Sequence, residues 1–336
     1  MNKIRKAAIV LLSLASLTAC QFSSFVRTGA SVEATKEAGS DNAASTDIAI
    51  IATATATETA TALPSETPTS TPIPPIVFAV IGDYGSGDGF EQAVAQLVTS
   101  WNPDLIITTG DNNYPLGGSD TIDANIGQFY HDYIGNYQGE FGSGSPDVNR
   151  FFPSMGNHDW YSDNGNPYLD YFDLPGNERY YQFSWQDIDF FVLDSSWSEP
   201  DGFLSGSIQV NWLEKQLTQS TAAWQIVYFH HSPYTSGYHL SSTWMRWHFA
   251  EWGADMVLSG HSHVYERLNV SGIPYIVNGL GGGTIYDFID ILPESLVRYN
   301  QEYGALQVEV SPTHLTGIFM NISGEIIDEF TIDKSH

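Results

Sequence analysis

The chain has 336 residues, 42% hydrophobic and 13% aromatic, with 12 basic against 39 acidic residues and a net charge of −27. That is enough apolar material for one large core or two ordinary ones, and the acidity excludes a surface built to grip nucleic acid or an anionic membrane, which needs lysine and arginine. The single cysteine, Cys20, excludes an internal disulfide or a site of several thiolates, so any metal must be held by imidazole, carboxylate, amide or phenol groups.

Lys3, Arg5 and Lys6 precede an apolar run from Ala7 to Ala19, broken only by Ser13, Ser16 and Thr18. As a helix the run would rise about 20 Å, short of a bilayer of about 30 Å, so residues 1–19 read as a signal peptide. Leu17-Thr18-Ala19-Cys20 resembles the lipobox of bacterial lipoproteins, which implies that Cys20 becomes the lipidated first residue of an exported, envelope-anchored chain. No later segment is apolar over a membrane-spanning length. From Gln21 to about Pro75, Ala-Thr pairs, scattered serines and Pro64, Pro68, Pro72, Pro74 and Pro75 replace any apolar periodicity. Such a stretch cannot offset the entropy of ordering and reads, with Cys20, as a tether over 20–75 of roughly 40 Å r.m.s. reach. Removing the three bases of the signal and the linker's six acids and two bases leaves 33 acidic and 7 basic residues beyond it, a net −26.

From Ile76 to His336 the pattern is that of one α/β domain. Ile76–Ile81 and Leu105–Thr109 are short buried runs flanking a helical pattern at Phe90, Val94, Leu97 and Trp101, an order that implies parallel strands with a right-handed crossover. Each run ends in Gly-Asp: Gly82-Asp83 and Gly110-Asp111. Further runs lead into Gly156-Asn157-His158-Asp159, His230-His231 and Gly260-His261-Ser262-His263. The pattern predicts helices over 207–217 and 242–252, a hairpin from Tyr180–Trp185 and Ile188–Leu193, and a closing meander of Leu306–Val310, His314–Met320 and Ile326–Ile332. In an open parallel sheet such strand ends form the ligand-binding edge. Five junctions, each delivering a hard oxygen or an imidazole, suit Fe, Zn, Mn or Mg.

These blocks, Gly82-Asp83-Tyr84-Gly85, Gly110-Asp111-Asn112-Asn113-Tyr114, Gly156-Asn157-His158-Asp159, Val227-Tyr228-Phe229-His230 and Gly260-His261-Ser262-His263, resemble the five ordered blocks of the calcineurin-like metallophosphoesterases. Within that superfamily they are similar to the purple acid phosphatases. The resemblance implies a four-layer αββα sandwich with two metal ions about 3.5 Å apart at the sheet edge. It also implies that Asp83, Asp111, Tyr114 and His263 hold one ion and that Asp111, Asn157, His230 and His261 hold the other, with Asp111 bridging. A tyrosinate is a hard anion that favours a trivalent ion, so Tyr114 implies Fe(III) beside a divalent Fe, Zn or Mn. The reaction implied is in-line attack on a phosphate ester by a metal-bridging hydroxide.

On the same footing His158 faces the leaving group, Asp159 orients it, and His239 resembles the second active-site histidine of these enzymes. His231 either lines the site or packs against Ser232-Pro233. Asn278–Gly283 either offers backbone N–H groups to the substrate or, as the preferred reading, forms a tight turn. Trp160, Tyr161, Tyr234 and Tyr238 either stack on an aromatic leaving group or pack. His131, His248, His314 and His336 read as structural or exposed. Plant-type purple acid phosphatases carry an additional N-terminal β domain for which residues 21–75 leave no room, so the chain resembles the smaller, single-domain acid phosphatases. Three functions stay open: an acid phosphomonoesterase; a phosphodiesterase or nucleotidase with two divalent ions and Tyr114 only packing; and a surface lipoprotein with a silent site. The partners expected are a small phosphoester and the lipid on Cys20, with no nucleic acid.

Overall fold

The computed structural model describes residues 74–334. The signal peptide, Cys20, the linker up to residue 73 and His336 lie outside the described residues. Within them no helix is long and apolar enough to cross a membrane.

In chain order the first strands are β1 (Ile76–Ile81), β2 (Leu105–Thr108), β3 (Phe151–Pro153), β4 (Tyr181–Trp185), β5 (Ile188–Val192), β6 (Trp224–His231) and β7 (Met256–Gly260). Six more follow: β8 (Tyr265–Val270), β9 (Ile273–Asn278), β10 (Ser295–Tyr299), β11 (Gly304–Val310), β12 (His314–Asn321) and β13 (Ile326–Asp333). The helices are α1 (Gly89–Ser100), α2 (Gln128–Tyr130), α3 (Asn166–Tyr171), α4 (Ile208–Gln219) and α5 (Phe249–Trp252). β1 pairs parallel with β2 and β2 with β3, in a six-stranded sheet ordered β13-β12-β11-β1-β2-β3. The second sheet, β10-β8-β9-β7-β6-β5-β4, is parallel through β5, β6, β7 and β9.

Local sequence explains the framework. β1 is apolar at every position and central in its sheet, so it is covered on both faces. Asp88 caps α1 by accepting the N–H groups of Phe90 and Glu91, and Glu91 reaches back to the N–H of Gly87. β3 ends its sheet, and Pro153 gives that edge one donor fewer, while the Pro153 carbonyl accepts the hydroxyls of Tyr168 and Tyr181.

The sheets meet face to face through aromatic contacts. Phe78 lies edge-on to Phe190 at 5.3 Å, Phe152 stacks on Phe183 at 3.8 Å, and Tyr265 stacks on Phe319 at 3.9 Å. α1 covers the first sheet with Val94 and Val98, and α4 and α5 cover the second with Leu213, Leu217 and Phe249. Helix, sheet, sheet and helix therefore form four layers.

The structure corrects one helix and adds three strands. Over 242–252 there is a 3-10 turn at Thr243–Met245 and then the short α5. Trp244 donates to the Ser195 carbonyl and Arg246 to that of Pro233, so tertiary bonds in different directions override the helical period. β8 and β9, unassigned from sequence, form a hairpin whose Ser271-Gly272 turn has both residues at positive φ; β10 adds to its edge.

Phe190 is fully buried between the sheets, touching Phe78 and Phe183. Phe190→Ala is expected to cost about 3–5 kcal/mol in urea unfolding, and Leu296→Ala, at a position 55% exposed, less than about 0.5 kcal/mol. Equal losses would contradict an aromatic core between the sheets.

Candidate metal centre

Every block of the sequence reaches one edge. Asp83 follows β1, Asp111 follows β2, Asn157 follows β3, His230 ends β6, and His261 and His263 follow β7. Asp83, Asp111, His261 and His263 all adopt positive φ, between 45° and 69°, a conformation that L residues hold only when their surroundings impose it. Glycine is required where neighbouring loops crowd in. A Cβ on Gly156 would fall 2.1 Å from Asp111 Oδ1, and one on Gly260 would fall 2.5 Å from Asp83 Oδ2.

Two overlapping groups of atoms result. In the first, the Tyr114 hydroxyl lies 3.1 Å from Asp111 Oδ2, 3.1 Å from His263 Nε2 and 3.4 Å from Asp83 Oδ1, with His263 Nε2 3.2 Å from Asp83 Oδ1. In the second, His230 Nε2 lies 3.3 Å from Asp111 Oδ2, 3.1 Å from Asn157 Oδ1 and 3.1 Å from His261 Nδ1. Asp111 Oδ2 belongs to both. Donors bound at about 2.0–2.2 Å to a common ion have this spacing, roughly 3 Å apart.

The far atom of most of these side chains is already engaged, and this fixes what the near atom presents. His230 Nδ1 must donate to the Thr109 carbonyl, 2.9 Å away, and His263 Nδ1 to that of Thr284, 2.6 Å away. When neutral, each ring therefore turns an Nε2 lone pair to the centre. Asn157 donates its amide N–H to the Tyr161 hydroxyl, which turns Oδ1 inward. Asp83 Oδ2 accepts the backbone N–H of His261, and Asp111 Oδ1 accepts that of His158. The centre is thus crowded with acceptors and short of protons, a donor set that fits two cations.

The electrostatics agree. Asp83 and Asp111 are buried, and among the described residues their only ion-pair partners are imidazoles. Burial alone would raise Asp111, but the charge and hydrogen bond of His230 hold it well below the usual carboxylate range. Burial would lower His230, yet Asp111 pushes it up to about 9. Burial, then the charges of Asp111 and Asp83, push the Tyr114 phenol far up, so a cation is needed to ionise it. Burial and the His230 charge push His231 down to about 3.

The seven expected ligands come together. His158 is there too: its Nδ1 donates to the Pro115 carbonyl, leaving Nε2 3.9 Å from Asp111 Oδ2. His239 joins from another wall, its ring 4.4 Å from that of His261. The expected role of Asp159 is corrected. It does not orient His158. It is buried and accepts N–H groups from Asn112 and Gly156, so it ties the Asp111 loop to the Asn157 loop, and its neighbour's ring points the other way to Pro115. His231 is buried beside the site, with Nδ1 2.8 Å from Ser195 Oγ and its ring 4.5 Å from His261. The glycine run is a brace: Gly281 and Gly283 donate their N–H groups to the carbonyls of Gly82 and Asp83. Trp160 bonds Asp194 and Tyr234 packs on Tyr275 and under Arg246, whereas Tyr161 and Tyr238 are exposed. His131 bonds the Gly127 carbonyl, and His248 and His314 form exposed pairs with Glu251 and Asp333.

Sequence reasoning missed several supports. Glu266 is fully buried and accepts Thr235 Oγ1, Ser236 N and Ser236 Oγ, which fixes the loop carrying His239. Tyr286 stacks on His263 at 4.6 Å. Only Tyr161, four residues after Asn157, left a local signal. The site opens into a cavity of about 330 Å³ whose walls include His158, His239, Tyr286 and Asp88.

Comparison with known proteins points one way. The family model for calcineurin-like phosphoesterase matches residues 76–265. Purple acid phosphatase 3 of Arabidopsis thaliana is 24% identical over 294 residues, covering 75% of this chain and 76% of its own length. The solved structure of GAP50, the anchor in the inner membrane complex of Plasmodium, has a TM-score of 0.62 at 20% identity and covers 79% of this chain and 90% of its own. Purple acid phosphatase PPD1 from seeds of yellow lupin, Lupinus luteus, also has a TM-score of 0.62, at 17% identity, covering 77% of this chain and 54% of its own. At these identities the structural likeness is one of fold.

In the ion-free protein, Asp111→Asn is expected to bring His230 down from about 9, because burial is then opposed only by the Asp83 charge and the Thr109 carbonyl. Nitrogen NMR of the His230 ring across pH reads this. An unchanged titration would show that Asp111 is not what holds the proton.

Proposed function

We propose a function from one premise: the chain belongs to the calcineurin-like phosphoesterase family. The site is read as that of a phosphomonoesterase of the acid phosphatase type. Asp83, Asp111, Tyr114 and His263 would hold Fe(III), and Asp111, Asn157, His230 and His261 a divalent Fe, Zn or Mn. The observation that carries this is the shared atom: Asp111 Oδ2 is 3.1 Å from the Tyr114 hydroxyl and 3.3 Å from His230 Nε2, in the middle of both donor sets. The phenol in the first set distinguishes the two ions, since a tyrosinate suits a trivalent one.

When bound, two such ions supply Lewis acidity, which acidifies water and offsets charge on the phosphoryl oxygens. The protein's side chains do the rest. Asp111 fixes the spacing of the two donor sets because its other oxygen is locked to the His158 N–H. His158, with Nδ1 committed to Pro115, presents Nε2 to the cavity, where the protonated ring donates to the leaving oxygen. His239, on the wall beside His261, donates to a phosphoryl oxygen. Asp159 acts through Asn112 and Gly156 by holding the two ligand loops together. We further propose that the domain is exported and anchored through lipid on Cys20, as the basic start, short apolar run and Leu17-Thr18-Ala19-Cys20 support.

Protein loaded with iron is expected to show a visible tyrosinate-to-iron band that Tyr114→Phe removes. A colourless iron-replete protein would favour the diesterase or nucleotidase with two divalent ions. Asp111→Ala and Asn157→Ala are each expected to lower kcat/KM for a generic aryl phosphate by at least about a hundredfold, with an unchanged far-UV spectrum. Because burial, then the His263 charge, holds His239 below the ordinary imidazole range, donation from its protonated ring places kcat/KM highest on the acid side of neutrality. No hydrolysis by the ion-loaded wild type would instead support a silent site on an anchored chain.

A further inference from the structure

Phosphate sites usually carry an arginine or lysine, and this domain has only seven such residues. Arg179 is paired with Glu199 and Asp201, Arg267 with Asp328, and Lys334 with Asp255. Arg150 lies over Tyr133, Arg246 over Tyr234, Arg298 bonds Ser295, and Lys215 is on α4. None of the seven lines the cavity. What does stand in its wall is a further carboxylate. Asp88 caps α1 with Oδ1, which accepts the N–H groups of Phe90 and Glu91, so its second oxygen is the one free to face the cavity. The same cavity wall also includes Ser86, Thr284 and Tyr286, all neutral groups.

The ions and imidazoles can neutralise one phosphoryl group, and nothing among the described residues is placed to neutralise a second anion. We propose that this site selects phosphoesters whose leaving group carries no negative charge, that Asp88 is the selecting side chain, and that alcohols bearing an ammonium group are preferred. This rests on the reading of the site as a phosphoesterase centre and adds its substrate class. Asp88 is exposed, so the discrimination is screened: it is a matter of several-fold ratios that shrink with salt.

The test uses the full chain loaded with its ions and four probes: aryl phosphates carrying a trimethylammonium, a carboxamide or a carboxylate substituent, and a nucleoside triphosphate. Affinities by calorimetry and kcat/KM are measured in parallel. The expected order is ammonium, neutral, carboxylate, triphosphate, with the spread contracting between about 0.05 and about 0.5 M salt. Asp88→Asn keeps the helix cap and is expected to narrow the ratio of ammonium to carboxylate probe by roughly three- to tenfold. Equal affinities across the series, or a ratio unchanged in Asp88→Asn, would overturn the inference. A retained order of affinities without turnover would overturn the phosphoesterase reading and leave the selectivity standing. Should Asp88→Asn fold poorly, Asp88→Ser, which also keeps a capping oxygen, is measured in its place, and an unchanged ratio there overturns the inference equally.

Discussion

Two carboxylates, Asp83 and Asp111, are buried so close that their oxygens and His263 fall within 4.8 Å of one another. Burying anions costs several kcal/mol each unless positive charge answers them. Among the described residues imidazoles alone do so, and an imidazole can answer a carboxylate only while it carries a proton. The cluster is therefore stable either protonated or filled with cations, and the surrounding structure is arranged to keep its donors in place for the second state. Each ligand block is tied to another: His261 N to Asp83, His158 N to Asp111, and the His230 ring to the Thr109 carbonyl. Displacing one loop would misdirect the next.

The two-sheet fold makes that cross-locking possible. Parallel strands send their carboxyl ends the same way, so β1, β2 and β3 in one sheet and β6 and β7 in the other deliver loops to a common edge. Asn278, buried at the end of β9, donates to the Val80 carbonyl of β1 and so joins the sheets just beneath the ligands. Local strain is stored above that tie, in four residues of the candidate centre, Asp83, Asp111, His261 and His263, held at positive φ.

Charge divides the molecule into two regimes. The exterior is strongly acidic and solvated, where salt screens it; at the centre, low dielectric and close contact make each group count. An anionic substrate is repelled at a distance and captured only at contact, and the exposed Asp88 on the cavity wall belongs to the screened regime.

Much of this was legible in the chain alone. The strand ends that carry Asp83, Asp111, Asn157 and His261 follow from short apolar runs closed by glycine, a local signal, as do α1, α4, the hairpin and the closing meander. The seven donors were named from the likeness of the five blocks to those of the family. Asp159 shows where that reading stops. Adjacency to His158 suggested a partnership, but side chains that are neighbours in a turn diverge, and Asp159 spends its oxygens on Asn112 and Gly156. Glu266 behind the His239 loop, Tyr286 on His263 and Ser195 on His231 left no trace in sequence, because each bond joins residues 23 to 36 positions apart. The sequence by itself determined which chemistry the chain carries, since donor type and local strand endings are encoded within a few residues. Which atom of each donor faces inward was decided by the tertiary structure, because that depends on what the other atom finds across the fold.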